Sequence, residues 1–273
     1  MRKFYLQNEK GEIFYFDYHS KVLISSVSGL GFEKEITYFD YDNLYKKIEE
    51  KNPQQEIAFK LVFLENYKGF KGFLKFIEDS SELVLYYTSV DIKYTYVEIE
   101  SLSKTQIEGG ALTSDLKMKK LSYWYKDVVS DVVINVSRTG KIYPFTYPYT
   151  YSNSSKGKLE ITNNGYAPAP LKIIIEGDVN NPEVIVTKDG IEEAKLKIYY
   201  ESSNCRIVVD AFPTRQQITI TENEETIDAY EYQDFSCDNF IFLSRGKHEI
   251  TFIPNTETTP KCSITMIEGY LGN

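Results

Sequence analysis

The chain has 273 residues, of which 42% are hydrophobic and 15% aromatic, and its net charge at pH 7 is −9. This much apolar sequence excludes a disordered protein, and the length allows one large domain or two of ordinary size. The acidic balance argues against a protein that gains affinity by neutralising phosphates, so we expect no sequence-specific binding of nucleic acid. The longest cationic cluster is expected on a solvated edge and consists of Lys117, Lys119 and Lys120.

Short strands dominate the predicted elements. Runs of about four to eight residues rich in Val, Ile, Tyr, Phe and Thr are bounded by Gly, Asn, Asp or Pro, and many alternate between apolar and polar positions. Alternation places one face of a strand on a core and the other face in water. In chain order, the predicted strands are 12–17, 35–39, 57–64, 83–87, 94–99, 158–162, 171–175, 183–187, 194–200, 206–210, 217–221, 247–253 and 263–267.

Residues 66–79 break this pattern and predict one amphipathic helix that covers a sheet face. Asn66 is expected to be the N-cap, with its side-chain oxygen accepting a hydrogen bond from a first-turn amide. The stretch 43–51 fits either a second, weaker helix or a charged β arm. The helix prediction rests on a single apolar stripe at helical spacing, formed by Tyr67, Phe70, Phe73, Leu74 and Ile77.

Two prolines, Pro144 and Pro148, interrupt any strand pairing near the middle of the chain. Acidic and basic residues nearly balance up to residue 140, and the excess negative charge lies mostly after it. We therefore place a domain boundary there, which gives one domain over 1–140 and another over 141–273.

Residues that usually carry catalysis are scarce. His19 and His248 are far apart, each on a predicted strand, and no partner at a recognisable spacing completes a metal site or a triad. The acidic pairs Asp40/Asp42 and Asp127/Asp131 could act as general acid and base or bind a cation, but solvated turns explain them more simply. The sequence therefore predicts no enzyme, no cofactor and no catalytic residue.

Three cysteines, Cys205, Cys237 and Cys262, lie at wide spacings that match no zinc or redox motif, so we expect them to be reduced and buried. No metal site is predicted from them. No segment reaches the roughly 18–20 apolar residues of a membrane span, and no signal peptide is recognisable, so we expect no membrane insertion.

The most distinctive charged segment is 216–244, which contains seven acidic residues and no Lys or Arg. Calcium prefers such oxygen-rich loops, but the spacing and the turn glycine of an EF-hand are missing. A solvated acidic rim is the simpler interpretation, and calcium binding stays an open alternative.

Aromatic residues supply the candidate contacts. Trp124, Tyr147, Tyr149 and Tyr151 could stack on sugar rings or contact a partner protein, because flat amphipathic rings give large contact area at little entropic cost. In a β-rich protein such residues also serve as core or subunit contacts, and the sequence leaves these interpretations open.

Four stretches follow one another along the chain: Val27-Ser-Gly29-Leu-Gly31-Phe, the helix at 66–79, Leu121-Ser-Tyr-Trp124-Tyr125, and the run from Pro144 to Pro182. In this order the chain resembles the distal tail proteins of long, non-contractile-tailed bacteriophages or prophages. The first three stretches are similar to the opening hairpin, the covering helix and the closing aromatic signature of the family's N-terminal domain. The fourth is similar to the start of its second, galectin-like domain.

The resemblance implies a mainly β protein, with an N-terminal ring-forming β domain covered by one helix and a C-terminal galectin-like antiparallel β-sandwich. It implies a structural adaptor, a hexameric homo-oligomeric ring that links the tail tube to the tail tip or baseplate. The implied partners are the tail tube protein, a tail-associated hub protein and receptor-binding proteins. The implied location is the virion tail tip, after assembly in the bacterial host cytoplasm.

The alternative function is a carbohydrate-binding β-sandwich module that recognises host cell-surface glycans. The sequence also departs from the family at 41–51, where the family usually carries an arm or belt that contacts the next subunit. This stretch is charged and poorly hydrophobic, which weakens that role.

Overall fold

The computed structural model describes residues 2–135 and 156–273, and these residues form mainly antiparallel β-structure, which confirms the predicted fold class. They divide into two compact units. One runs up to Lys126 and includes Tyr270–Asn273, and the other is Asp127–Gly269. The predicted boundary after residue 140 lies outside the described residues, and the units divide before it.

The elements of the first unit are β1 (Lys3–Asn8), β2 (Ile13–Tyr15), β3 (Val22–Ser28), β4 (Glu35–Tyr41), β5 (Leu44–Lys51), β6 (Glu56–Phe63), α1 (Tyr67–Glu78), β7 (Leu83–Thr88), β8 (Ile92–Leu102), β9 (Ile107–Glu108), β10 (Ala111–Lys120) and β11 (Trp124–Asn135), which continues into the second unit. Most of these strands form one antiparallel sheet with the order β2-β1-β7-β8-β10-β6-β3, and the short strand β9 also pairs with β10. A separate hairpin consists of β4 and β5.

The core of the first unit follows from alternation on its inner strands. Every second residue of β6, from Ile57 to Phe63, is buried, and the same holds for much of β10. The helix α1 contributes Phe70 and Phe73, whose ring centroids lie 5.6 and 6.3 Å from that of Phe63. The predicted helix is thus confirmed, and its apolar stripe covers the sheet as expected.

The start of α1 differs from the prediction. Asn66 is the N-cap residue, but its side chain makes no capping hydrogen bond. Its φ of 49° is positive, a backbone conformation that residues other than glycine rarely adopt, so Asn66 contributes to the chain reversal through its backbone. The predicted position of the N-cap is confirmed, but the prediction of a hydrogen bond from its side chain is wrong.

The cationic cluster also differs from the prediction. Lys117, Lys119 and Lys120 lie on β10, which pairs with β6 on one side and with β8 on the other. The cluster is therefore on an inner strand rather than at a sheet edge. Lys117 and Lys119 both lie within 4 Å of Glu56.

The described residues of the second unit form two antiparallel sheets. One has the order β11-β12-β20-β14-β15, and the other has the order β21-β13-β16-β17-β18, with β19 pairing to the start of β13. The strands are β12 (Lys156–Asn163), β13 (Ala169–Asn180), β14 (Glu183–Lys188), β15 (Ile191–Lys197), β16 (Glu201–Asp210), β17 (Gln217–Glu222), β18 (Glu225–Asp228), β19 (Phe242–Leu243), β20 (Gly246–Ile253) and β21 (Lys261–Tyr270), with a short 3₁₀ helix at Tyr230–Tyr232.

One hydrophobic cluster fills the second unit. Val184 and Phe252 from the first of these sheets belong to the same buried cluster as Ile173, Val209 and Ile264 from the other. Two sheets that bury their facing side chains in a common core form a sandwich. A separate cluster, centred on the phenylalanines of β6 and α1, fills the first unit.

Candidate functional site

Trp124, a predicted glycan or partner contact, belongs to the core of the first unit. Its side chain is fully buried, and its ring meets that of Tyr87 edge to face at 6.5 Å between centroids. A ring enclosed by protein side chains offers no face to a sugar, so the structure does not support a stacking role for Trp124. The other predicted contacts, Tyr147, Tyr149 and Tyr151, lie outside the described residues.

The two histidines occupy different environments. His19 lies in an exposed turn rather than on a strand, whereas His248 is buried on β20. Glu193 Oε2 and Ser244 Oγ lie 2.8 and 3.3 Å from the same atom, His248 Nε2. A catalytic triad needs the acid on the opposite ring nitrogen from the hydroxyl, so this cluster lacks triad geometry.

All three cysteines are free thiols, and two of them are buried. Burial raises the pKa of Cys205 to about 11 and that of Cys262 to about 12, which disfavours the reactive thiolate. Cys237 is partly exposed, unlike the prediction. Within residues 2–135 and 156–273, no group of three or more His, Cys, Asp or Glu side chains is placed to hold a metal ion.

The acidic segment 216–244 forms β17, β18, the 3₁₀ helix and β19 of the second unit. Two of its carboxylates accept hydrogen bonds from neighbouring side chains. Glu222 accepts from the Tyr200 hydroxyl at 2.7 Å and from Ser202, and Asp234 accepts from the Tyr199 hydroxyl at 2.8 Å. These acids therefore organise the surface around them.

The most exposed element of the first unit is the hairpin of β4 and β5. The sequence allows either a helix or a β arm at residues 43–51. These residues form mainly the strand β5, which pairs antiparallel with β4. The connection has two residues, Asp42 and Asn43, both with positive φ, which suits the twist of a tight hairpin turn. Asp40 and Asp42 are thus a strand end and a turn, not a facing carboxylate pair.

The hairpin exposes apolar side chains on both of its faces. Tyr41 lies opposite Leu44 on one face, and Asp40 lies opposite Tyr45 on the other. A register shift near Thr37 adds one further residue, Ile48, to β5. In the part of the chain that the structure describes, these apolar side chains are exposed rather than packed into a core: Ile36, Tyr38, Phe39, Tyr41, Leu44, Tyr45 and Ile48.

The base of the hairpin is organised by one carboxylate. Glu50 accepts hydrogen bonds from Lys34 and from Lys47, the latter at 2.5 Å. Those hydrogen bonds, first from Lys34 and then from Lys47, lower the pKa of Glu50 to about 2. Glu50 is therefore ionised at neutral pH and links the chain before β4 to β5.

The aromatic character of this hairpin was not predicted, because the interpretation of 41–51 rested on its charged residues alone. Two strands that expose both faces lack the alternation that marks a half-buried strand. The available signal was the Asp-Asn pair between two runs that contain Tyr and Phe, which is typical of a two-residue hairpin turn.

Among the described residues, no helix has the length and apolarity that crossing a bilayer requires.

Comparisons with known proteins place this architecture. Residues 3–121 match the family model described as distal tail protein, N-terminal domain. No curated protein sequence shows a detectable match to the chain.

Solved structures share the fold over nearly the whole chain. A chain of the phage P2 baseplate in its activated conformation with Ca superposes with a TM-score of 0.67 at 16% identity, and 98% of each chain is covered. The same baseplate with Sr gives 0.66 at 16% identity, with the same coverage. The SPP1 Dit (gp 19.1) protein, described as a paradigm of the hub adsorption apparatus in phages that infect Gram-positive hosts, gives 0.63 at 12% identity, covering 96% of this chain and 98% of that one.

At these identities the superpositions show a common fold, and the family match adds the identity of the first unit. Both agree with the resemblance predicted from the sequence, which is confirmed. Residues 3–121 therefore match the N-terminal domain of the distal tail protein family.

Proposed function

We propose that this protein is a ring-forming adaptor of a phage tail, in which the β4–β5 hairpin of one copy contacts the first unit of the next. The family match to the N-terminal domain supports this role, and so do the structural neighbours, which are components of a baseplate and a hub adsorption apparatus. The observation that carries the proposal is the exposed aromatic hairpin.

The hairpin is difficult to explain in an isolated chain. A two-stranded ribbon is marginally stable in water, because it lacks a third strand or a helix to cover an apolar face. Contiguous exposed apolar surface usually marks a protein contact. Burying Tyr41, Leu44 and Tyr45 against a neighbouring copy removes this surface from water and stabilises the ribbon.

A hairpin that contacts a different surface on the next copy makes a head-to-tail interface, which closes into a ring when the rotation between copies is suitable. We propose six copies. The ring joins the tail tube protein and a tail-associated hub protein at the virion tail tip, and it is assembled in the bacterial host cytoplasm. The second unit, proposed as a galectin-like sandwich, supplies attachment surfaces for receptor-binding proteins. No step of this function requires catalysis.

A substitution in the hairpin tests the proposal. We expect Tyr45→Ser to weaken association of the full chain by about tenfold or more, because aromatic residues at the centre of an interface carry much of its energy. Tyr18→Ser is the matched control, since Tyr18 is 73% exposed and Tyr45 is 75% exposed. Light scattering over a concentration series measures both variants and the unchanged chain.

The proposal predicts a concentration-dependent hexamer that Tyr45→Ser shifts toward the monomer and Tyr18→Ser leaves in place. Equal effects of the two substitutions would show that the hairpin has no special part in assembly. A chain that stays monomeric at every concentration and binds an immobilised cell-wall polysaccharide would favour the glycan-binding alternative.

A further inference from the structure

Residues 228–240 of the second unit, here named the aromatic loop, present two aromatic rings to solvent. Tyr230 and Phe235 are 53% and 71% exposed, and their ring centroids lie 6.0 Å apart in an edge-to-face arrangement. Tyr199, which is about half exposed, donates a hydrogen bond from its hydroxyl to the Asp234 carboxylate in the same loop. Exposed rings that contact one another form a small apolar surface rather than scattered single residues.

The aromatic loop is held in place by its own polar groups. The Asn239 side-chain amide, which is buried, donates to the carbonyl oxygens of Asp234 and Cys237 at 2.7 and 3.1 Å. The Asp234 amide donates to the Lys197 carbonyl at 2.9 Å, and Tyr199 donates its amide to the Tyr232 carbonyl at 2.7 Å. These bonds attach the loop to the end of β15 and the residues that follow it.

The Asp234 carboxylate adds a second set of restraints. It accepts hydrogen bonds from the Ser236 hydroxyl at 2.7 Å and from the Ser236 amide at 2.9 Å, in addition to the Tyr199 hydroxyl. These bonds, led by the Ser236 hydroxyl, lower the pKa of Asp234 to about 2, so the loop keeps its charged restraint throughout the neutral range. A surface fixed before binding loses little conformational entropy when a partner docks.

Charge decides which partner this surface suits. Asp228 and Glu231 lie within two residues of Tyr230 in the sequence, Asp238 lies three residues after Phe235, and all three are exposed, whereas the whole of 216–244 contains no Lys or Arg. Lys195 and Lys197, whose carbonyl oxygens accept hydrogen bonds from the loop, are each paired with Glu183, at 2.8 and 2.9 Å, and Lys197 Nζ also lies 5.3 Å from the centroid of the Tyr199 ring. These exposed carboxylates therefore attract cations, and exposed aromatic rings in an acidic loop suit a guanidinium or ammonium group.

We propose that the aromatic loop is a docking surface for a basic, extended segment of another tail protein, whose Arg or Lys side chains lie on Tyr230 and Phe235 and pair with Asp228 and Glu231. The edge-to-face pair gives no shared flat platform for a sugar ring, which favours a basic peptide over a glycan. The inference rests on the proposed adaptor function, since it names the chemistry of one attachment surface on the second unit.

A labelled hexa-arginine peptide is the probe, titrated against the full chain and followed by fluorescence anisotropy. We expect saturable binding that weakens as salt is raised, because the contact is largely between exposed charges. The double variant Tyr230→Ser with Phe235→Ser weakens binding by about tenfold, through loss of both cation–π faces and their contact area. Glu231→Gln weakens it by about threefold, as expected for one exposed ion pair.

Two matched control variants test whether peptide binding depends on this surface or only on the overall acidity of the segment. Ile191→Ser removes a side chain in the second unit that is 74% exposed, close to the 71% of Phe235. Glu224→Gln removes one exposed carboxylate of the same acidic segment, at the turn between β17 and β18. Both controls retain the affinity of the unchanged chain within about twofold. If the double variant melts at a lower temperature than the unchanged chain, the single variant Phe235→Ser replaces it in the binding measurement.

The outcomes are distinguishable. Absence of saturable peptide binding, equal weakening by Glu224→Gln and Glu231→Gln, or no effect of the aromatic variants would each overturn the docking surface. Saturable binding of a soluble cell-wall glycan through Phe235, without peptide binding, would make it a sugar site and would also overturn it. Ring assembly is measured separately with Tyr45→Ser, so failure of one proposal does not appear as failure of the other.

Discussion

Trp124 shows how a single residue changes its interpretation once its surroundings are known. From the sequence, Trp124 could contact a sugar or lie in a core, and the adjacent Tyr123 and Tyr125 do not distinguish these roles. In the structure these two tyrosines are only partly buried. In the structure the indole is fully buried, and its nitrogen has no hydrogen-bond partner among the described residues. Its contribution is therefore packing.

We expect Trp124→Ala to destabilise the first unit by about 3–5 kcal/mol, because it removes a large buried ring and leaves a cavity. Trp124→Phe keeps much of the volume and breaks no hydrogen bond, so its cost should be considerably smaller. Urea unfolding followed by circular dichroism measures both changes. Similar losses for Ala and Phe would show that the indole nitrogen makes a stabilising contact that phenylalanine cannot replace.

At the scale of elements, α1 contains two glycines in its interior, and they differ in their surroundings. A side chain at Gly72 would meet nothing within 4 Å, whereas one at Gly69 would lie 3.4 Å from the Phe63 ring. Glycine in a helix interior costs conformational entropy relative to alanine. Gly72 is therefore a site where the sequence has not maximised helix stability.

We expect Gly72→Ala to raise the free energy of unfolding of the first unit by about 1 kcal/mol. Gly29→Ala is the opposite control, because Gly29 has a φ of +82° and a Cβ there would lie 2.0 Å from the Glu56 carbonyl oxygen. That change should destabilise by more than about 1 kcal/mol. Chemical denaturation measures both, and destabilisation by Gly72→Ala would show that the exposed face of α1 needs glycine there.

Many of the strands predicted from the sequence have one buried and one exposed face, although the fully exposed β4 was also predicted, at 35–39. The strand β6 was found because Ile57, Phe59, Leu61 and Phe63 alternate with other residues. The strand β10 was missed, although Leu112, Leu116 and Met118 are buried, because serine, threonine and lysine between them weaken its apolar signal. Both faces of the hairpin are exposed, so periodicity could not separate the helix from the β arm there.

The candidate surfaces were harder to predict than the strands. The acidity of 216–244 is evident from composition, but the exposure of Tyr230 and Phe235 depends on how Asn239 and Asp234 hold the loop. Those hydrogen bonds reach carbonyls and side chains that sequence spacing does not reveal. Composition therefore predicted the charge of this surface, and only the fold supplied its aromatic centre.

At the scale of the whole molecule, residues 2–135 and 156–273 form two hydrophobic cores, one in each unit. The single tryptophan lies in the core of the first unit, so its fluorescence reports on that unit. A matched pair of leucines tests whether each core governs its own unfolding. Leu61 on β6 belongs to the first core and Leu171 on β13 to the second, and both are buried.

We expect Leu61→Ala to lower the denaturant midpoint of the Trp124 fluorescence transition, because the cavity costs its unit about 3 kcal/mol. Leu171→Ala should leave that midpoint in place and lower a second transition seen by circular dichroism, since its cavity lies in the other core. Trp124→Phe, which lacks the fluorescent ring, confirms the origin of the signal. If both leucine variants shift the fluorescence midpoint equally, the two cores unfold as one cooperative unit.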